Sequence, residues 1–140
     1  METKITNNEH QTYNFGFEFA KGLQGGQVVA LSGELGAGKT VFVKGIAKAL
    51  GIDAHILSPT FTLLRQYKGL NHFDVYRIDD VDELYEIGFT EYLHDDIITV
   101  IEWANLVYDL MPDDTIYVDI RKTVEEDQRV IFVSDAPIEE

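Results

Sequence analysis

Residues 33–40, GELGAGKT, are the feature that most constrains this chain of 140 residues. They satisfy the pattern G-x-x-x-x-G-K-[ST], and we call them the glycine loop. The preceding segment, QVVALSG, is short, apolar and rich in β-branched residues, which predicts a buried strand. The following segment, KTVFVKGIAKALGI, has helical periodicity as far as Gly51. A strand, a glycine loop and a helix in this order are the context of a phosphate-binding P-loop.

Lys39 and Thr40 are the two side chains of this pattern that contribute chemistry. The pattern places the Lys39 ammonium at the β- and γ-phosphates of a nucleotide and the Thr40 hydroxyl on a bridging magnesium ion. Backbone N–H groups at the positive end of the helix complete the anion site. A glycine turn with an incidental lysine is the alternative, and the flanking strand and helix argue against it. Gly36, the extra glycine, is open to being a turn requirement only.

The rest of the chain predicts a mixed, partly parallel sheet with flanking helices. Residues 9–26 have helical spacing of Tyr13, Phe17, Ala20 and Leu23, and Gly25 and Gly26 supply a stop. Further downstream the segments are TFTLLRQYKG and NHFDVYRI (a hairpin around residues 68–70), DDVDELYEIGF (a helix), DIITVIEW (a strand), and DTIYVDIRK and QRVIFVS (two strands joined by the turn TVEED). We therefore expect a single domain, residues 1–140, with an α/β, P-loop NTPase-like fold in three layers.

Two acidic residues stand where a magnesium nucleotide site needs carboxylates, at the ends of predicted strands. Glu102 follows the apolar run 97–101, and Asp74 follows a short apolar run in HFDVYR. Such carboxylates hold the metal with its water, or orient the attacking water. Ordinary solvated acids are the alternative in this acid-rich half of the chain. The spacing does not say which of the two would touch the metal.

The evidence for a functional role is weaker for segment 58–62, SPTFT, and for Trp103. Three hydroxyls beside a proline suit a switch segment that senses a γ-phosphate, but a Ser-Pro pair in a loop is more often just a turn. Trp103, the one tryptophan, covers either the nucleotide or a partner surface, or it belongs to the core.

Arg77 and His72 are better explained by structure than by chemistry. Arg77 either reaches a phosphate or pairs with an acid at position 79, 80 or 82, and the ion pair is favoured. His72 has no second histidine at metal-ligand spacing, so we expect a structural histidine.

Charge and composition limit the partners. The formal net charge is −14, divided into +2 for residues 1–72 and −16 for residues 73–140. Nucleic-acid binding depends on neutralising phosphates with basic residues, so binding of DNA, or direct binding of RNA, is disfavoured. The acidic residues serve either to attract a basic protein partner or to keep the protein soluble. Absence of cysteine excludes disulfides and thiol chemistry. No apolar run approaches the roughly 20 residues of a membrane span, and we expect a cytoplasmic protein.

The motifs GELGAGKT, SPTFTL, HFDVYRI, ELYEIGF and VIEW, in this order, resemble the TsaE family, the bacterial P-loop ATPase of tRNA threonylcarbamoyladenosine (t6A) biosynthesis. The resemblance covers residues 10–108. It implies a Mg²⁺-dependent ATPase, weak alone and stimulated by the subunits TsaD and TsaB, that resets the complex between cycles. The transfer chemistry would belong to TsaD, and tRNA would be reached indirectly through the complex.

The resemblance also implies roles for particular residues. Thr60 would serve the switch loop, Asp74 and Glu102 the metal and water, Thr40 the metal, and Trp103 would lie beside the site. The nucleotide would be bound by Gly33, Glu34, Leu35, Gly36, Ala37, Gly38, Lys39, Thr40, Val41 and Trp103. Glu34 stands where the family is associated with aspartate, and the last thirty or so residues match no motif.

Two other functions remain open. A small-molecule kinase usually needs an arginine-rich lid, which the few basic residues of the C-terminal half do not favour. A scaffold that binds ATP without hydrolysing it has little use for the two strand-end acids. The chain lacks an N-K-x-D motif, which favours ATP over GTP.

Overall fold

Seven strands form one mixed sheet in the computed structural model, which describes residues 1–34, 36–53, 56, 63–94 and 96–138. The strands are β1 (Glu2–Thr6), β2 (Val28–Ser32), β3 (Leu64–Tyr67), β4 (Leu70–Asp74), β5 (Ile98–Glu102), β6 (Ile116–Lys122) and β7 (Arg129–Ser134). Their order across the sheet is β1-β7-β6-β2-β5-β4-β3. The four strands β6, β2, β5 and β4 are parallel, and the outer pairings are antiparallel. The predicted mixed, partly parallel sheet is confirmed.

Helices cover both faces of the sheet. Helices α1 (Glu9–Ala20) and α2 (Lys39–Ala49) share a core cluster with Val29 and Leu31 of β2. Helices α3 (Asp82–Glu86) and α4 (Phe89–Leu93) and a 3₁₀ helix, Ala104–Leu110, share the opposite cluster with Val28 and Ala30. Because successive residues of a strand point to opposite faces, β2 contributes to both cores. The three predicted layers are therefore present.

Two glycines bring α1 and α2 into close contact. A Cβ atom on Gly16 would lie 2.3 Å from the Phe42 carbonyl oxygen, and one on Gly45 would lie 2.1 Å from the Tyr13 carbonyl oxygen. The buried stripe of α1 consequently runs through Thr12, Gly16 and Ala20, whereas the predicted positions 13 and 17 are half-buried. Small residues mark this contact, so apolar spacing alone identified the helix but not its innermost face.

Several predicted boundaries were wrong. Helix α1 ends at Ala20 instead of at Gly25, since the chain turns there to reach β2. The predicted helix over residues 79–89 is divided into α3 and α4 by Gly88, whose φ is +78°. The hairpin turn is Lys68 and Gly69 alone, and β4 stops at Asp74.

Strand β1 and the 3₁₀ helix were not predicted. Four of the five β1 residues are exposed, so the strand has no apolar alternation, and its pairing with β7 defines it. Among the described residues, none of the helices combines the length and apolar character that crossing a bilayer requires.

Candidate functional site

Parallel strands bring four polar side chains to one edge of the sheet. Asp74 is the Cα partner of Glu102 across β4 and β5, and Ser32 is the Cα partner of Asp119 across β2 and β6. The glycine loop leaves the same edge, because it follows β2 directly. The carboxyl edge of a parallel sheet is where open α/β folds place their ligands.

The glycine loop ends at the first turn of α2. Gly36 and Gly38 have φ values of +77° and +102°, which side chains rarely adopt, and Gly38 precedes the first helical residue. The Ala37 N–H donates to the Glu34 carbonyl oxygen at 3.1 Å, which closes the loop. Glu34 thus contributes its backbone while its side chain is exposed. Leu35 lies outside the described residues.

Lys39 is a buried cation at this edge, with 6% of its surface exposed. Its ammonium donates to the carbonyl oxygens of Gly33 and Glu34, the latter at 3.1 Å. Burial lowers the pKa of Lys39, and the surrounding acids Glu102, Asp74, Asp119 and Glu34 oppose that shift. The nearby carboxylates therefore favour the charged form of the ammonium against the effect of burial. The next residues of α2, positions 40 and 41, are half-buried.

Trp103 lies against both the core and Lys39. The Lys39 Nζ atom is 4.2 Å from the centroid of the indole, within cation–π range, and Tyr76 stacks on the indole at 4.5 Å between ring centroids. Trp103 has a positive φ of +62° and is half-buried against the core cluster beneath the sheet. Trp103 therefore packs in part against the core, and its role in covering a nucleotide stays a prediction.

Asp74 and Glu102 are buried carboxylates, with 5% and 3% exposed. Burial raises the pKa of Asp74, and the Tyr76 N–H, which donates to Asp74 Oδ1 at 3.0 Å, opposes the rise. The Nε2 atom of His72 lies 2.6 Å from Glu102 Oε2, and the Nε2–H tautomer of the imidazole donates to the carboxylate. The two strand-end acids thus meet at one place, together with Lys39.

His72 is fully buried, as expected of a structural histidine, but its bond to Glu102 was not anticipated. Within the described part of the chain, its Nδ1 atom has no hydrogen-bond partner. A signal was available in the sequence, because residues two apart on a strand share a face, and His72 precedes Asp74 by two.

Three further neighbours of the glycine loop were missed. Lys122 and Arg129 are Cα partners where β6 and β7 meet the loop, and Arg129 donates to the carbonyl oxygens of Gly36 and Ala37. On the other side, the Tyr108 hydroxyl lies 2.9 Å from Ser32 Oγ, in a cleft of about 620 Å³. The scarcity of basic residues could have drawn attention to Lys122 and Arg129, because residues 73–140 hold only four basic side chains.

Two other predictions are not settled by the geometry. Segment 58–62, with Thr60, lies outside the described residues, so its proposed switch role stays a prediction. Arg77 is exposed, and its ion pair stays a prediction as well.

The arrangement suits a bound anion and a hard cation. Within the described ranges, no three His, Asp or Glu side chains form a cluster able to hold a metal ion. Magnesium sites usually rely on one or two carboxylates together with the phosphates of a substrate. Asp74 and Glu102 could supply the carboxylates of such a site.

Comparisons with known proteins agree with one another. A family model described as threonylcarbamoyl adenosine biosynthesis protein TsaE matches residues 6–131. Proteins named tRNA threonylcarbamoyladenosine biosynthesis protein TsaE are 40% identical in Treponema pallidum and 38% identical in Rickettsia bellii. These alignments cover 84% and 94% of this chain, and 89% and 93% of the relatives.

A crystal structure of YdiB from Bacillus subtilis superposes with a TM-score of 0.78 at 32% identity. The superposition covers 96% of this chain and 86% of the YdiB chain. The fold, the sequence and the family model thus give the same assignment, and the chain belongs to the TsaE family of threonylcarbamoyl adenosine biosynthesis proteins.

Proposed function

We propose that this protein is the ATP-binding and ATP-hydrolysing subunit of tRNA t6A modification, acting with TsaD and TsaB to reset their complex between cycles. One observation carries the proposal. Asp74 and Glu102, buried and paired across two parallel strands, lie at the edge where the buried Lys39 leaves the glycine loop. An anion site beside two carboxylates is what hydrolysis of a magnesium nucleotide requires.

The residues present fit such a nucleotide. Gly36 and Gly38 have backbone angles that let N–H groups line a loop, and α2 begins directly behind them with its positive end toward the loop. Lys39 is held among acids that favour its charged form. The oxygen ligands are of the class that magnesium prefers.

Each residue then has a defined task. Lys39 would bind the phosphates, and the Thr40 hydroxyl would bind the metal with Asp74 or Glu102. The carboxylate not bound to metal would orient the water. Magnesium, when bound, would neutralise the charge that develops on the transferred phosphoryl group. Glu102 is held by His72 and Asp74 by the Tyr76 N–H, so both are oriented before a nucleotide arrives.

The charge distribution supports action through a complex. Residues 73–140 carry a net charge of −16, which repels a tRNA backbone. A subunit with a basic surface would be attracted to the same region. On this proposal, TsaD and TsaB contact the tRNA and this chain supplies the nucleotide cycle.

The decisive experiment measures phosphate release from Mg-ATP by this protein, alone and with TsaD and TsaB. We expect slow release alone and stimulation by the partners. The stimulation should disappear in Lys39→Ala. Asp74→Asn and Glu102→Gln should abolish turnover and leave ATP binding, measured by calorimetry, largely intact. Turnover that survives both carboxylate changes would contradict the assignment, and tight ATP binding without release in any mixture would favour the non-hydrolysing scaffold.

A small-molecule kinase is the second candidate, because the cleft of about 620 Å³ opens beside Gly33 and Glu34 and lies in the usual size range of ligand sites. Incubation with ATP and a panel of metabolites separates the two functions. Phosphate found on an acceptor, instead of in solution, would replace the ATPase proposal.

A further inference from the structure

Arg129 connects the last strand of the sheet to the glycine loop. Its Nε donates to the Ala37 carbonyl oxygen at 3.0 Å, and its Nη2 donates to the Gly36 carbonyl oxygen at 3.2 Å. The remaining nitrogen, Nη1, donates to the carbonyl oxygens of Glu126 and Gln128 at 2.9 and 2.8 Å. One guanidinium therefore ties the β6–β7 turn to the loop.

The two loop carbonyls belong to the peptides on either side of Ala37. In a trans peptide, the C=O and N–H point in opposite directions, and no cis peptide occurs among the described residues. Holding the Ala37 carbonyl toward Arg129 therefore turns the Gly38 N–H away from Arg129. That N–H is the last one before α2 begins, at the end of the helix whose dipole favours an anion.

The orientation of this peptide is set by ψ of Ala37 and φ of Gly38, so one of its two backbone torsions belongs to a glycine. Gly36 and Gly38 have positive φ angles, and glycine populates both signs of φ about equally. The planar fork of arginine contacts two carbonyls at once, which a lysine ammonium does not match. Ala37 itself is buried, with 1% exposed, so its carbonyl has Arg129 as its polar partner in place of bulk water.

The charge of Arg129 is directed at the loop as well. No ion pair between Arg129 and a carboxylate occurs in the part of the chain that the structure describes. The contacts of its guanidinium are thus carbonyl oxygens of the loop and of the β6–β7 turn, and its positive charge lies beside the loop in a protein of net charge −14.

We propose that Arg129 is a positioning residue for the glycine loop, which fixes the Ala37–Gly38 peptide with its N–H toward a bound diphosphate group. This inference rests on the proposed nucleotide-binding function. It predicts that Arg129 acts on the phosphates of the ligand and leaves the nucleoside unaffected.

The test is calorimetric binding of Mg-ADP and of inorganic pyrophosphate to Arg129→Ala, Arg129→Lys and the unmodified protein. We expect both ligands to lose affinity in Arg129→Ala by a similar factor of about 10 to 100, which corresponds to roughly 1.4–2.8 kcal/mol. Arg129→Lys should lose most of the same affinity, since it retains the charge without the fork. Arg65→Ala is the matched control, as a half-buried arginine on β3 at the other end of the sheet, and it should bind both ligands normally.

The outcomes separate the two proposals. Unchanged affinity in Arg129→Ala, full affinity in Arg129→Lys, or a loss for ADP without a loss for pyrophosphate would each overturn the inference while nucleotide binding stands. An unmodified protein that binds neither ligand would overturn the proposed function itself. The thermal unfolding midpoint of each ligand-free variant is measured in parallel, and if Arg129→Ala does not fold, Arg129→Lys decides.

Discussion

The imidazole of His72 and the carboxylate of Glu102 form a hydrogen bond of 2.6 Å, and the two residues are 0% and 3% exposed. Strands β4 and β5 bring them together, and the same pairing makes Asp74 the Cα partner of Glu102. His72, which lies two residues before Asp74 on β4, therefore orients the carboxylate of Glu102 on β5.

Replacing His72 by Phe should reduce both stability and turnover. The change leaves a buried carboxylate without its donor, which costs about 1–3 kcal/mol of unfolding free energy. Partners that orient a reactive group typically contribute about 10- to 100-fold to activity. His72→Gln, which retains an N–H donor, should recover part of both. Urea unfolding and partner-stimulated phosphate release measure the two effects, and equal behaviour of the Phe and Gln variants would show that the hydrogen bond is unimportant.

Asp74→Asn should stabilise the protein at neutral pH. Burial raises the pKa of Asp74 above its ordinary value of 3.8, so the folded protein binds this proton more tightly than the unfolded chain does. The unfolding free energy consequently falls as pH rises from 3.8 through the raised pKa, and above that window the buried charge is a constant cost. The asparagine variant lacks that cost.

We therefore expect the thermal unfolding midpoint of Asp74→Asn to exceed that of the unmodified protein at pH 7. About 1 kcal/mol would correspond to roughly 3–6 °C in a domain of this size. The difference should shrink as pH is lowered toward 3.8. The exposed acid Asp109 provides the control variant, Asp109→Asn, which should show no such trend. A difference that grows on acidification would contradict the direction of the shift.

Trp103 should report nucleotide binding by its fluorescence. It is the one tryptophan in the chain, and the Lys39 ammonium lies 4.2 Å from its ring centroid. Binding of Mg-ATP would redirect the ammonium toward phosphate and change the emission. Lys39→Met removes the cation, so its ligand-free spectrum should differ from that of the unmodified protein and should not respond to ATP. An ATP response that persists in Lys39→Met would place its origin elsewhere.

Added methyl groups at the α1–α2 contact should be destabilising. Gly16→Ala and Gly45→Ala place a Cβ within 2.3 and 2.1 Å of backbone oxygens, so the helices must separate. Overpacking of this kind costs about 1–3 kcal/mol. Gly22→Ala is the control, because the nearest atom to its Cβ would be 3.8 Å away. Unfolding midpoints of the three variants give the comparison, and a Gly16→Ala protein as stable as Gly22→Ala would mean that the helices separate at no cost.

Local features of the sequence were sufficient for the glycine loop and its flanking strand and helix. Each depends on residues that are adjacent along the chain, and turn residues and apolar periodicity reveal such elements directly. Asp74 and Glu102 were recognisable for the same reason, as acids at the ends of short apolar runs. The family motifs then identified these positions as one site.

Only the tertiary structure decided how distant residues meet. Strand β1 has no apolar pattern of its own, and its existence depends on backbone pairing with β7. Arg129 contacts Ala37 across 92 positions of sequence, and His72 contacts Glu102 across 30. Strand pairing and register create these contacts, and they join residues whose separation along the chain gives no local signal. The sequence by itself therefore determined which chemical groups this protein has, and the register of its sheet determined which of them act together.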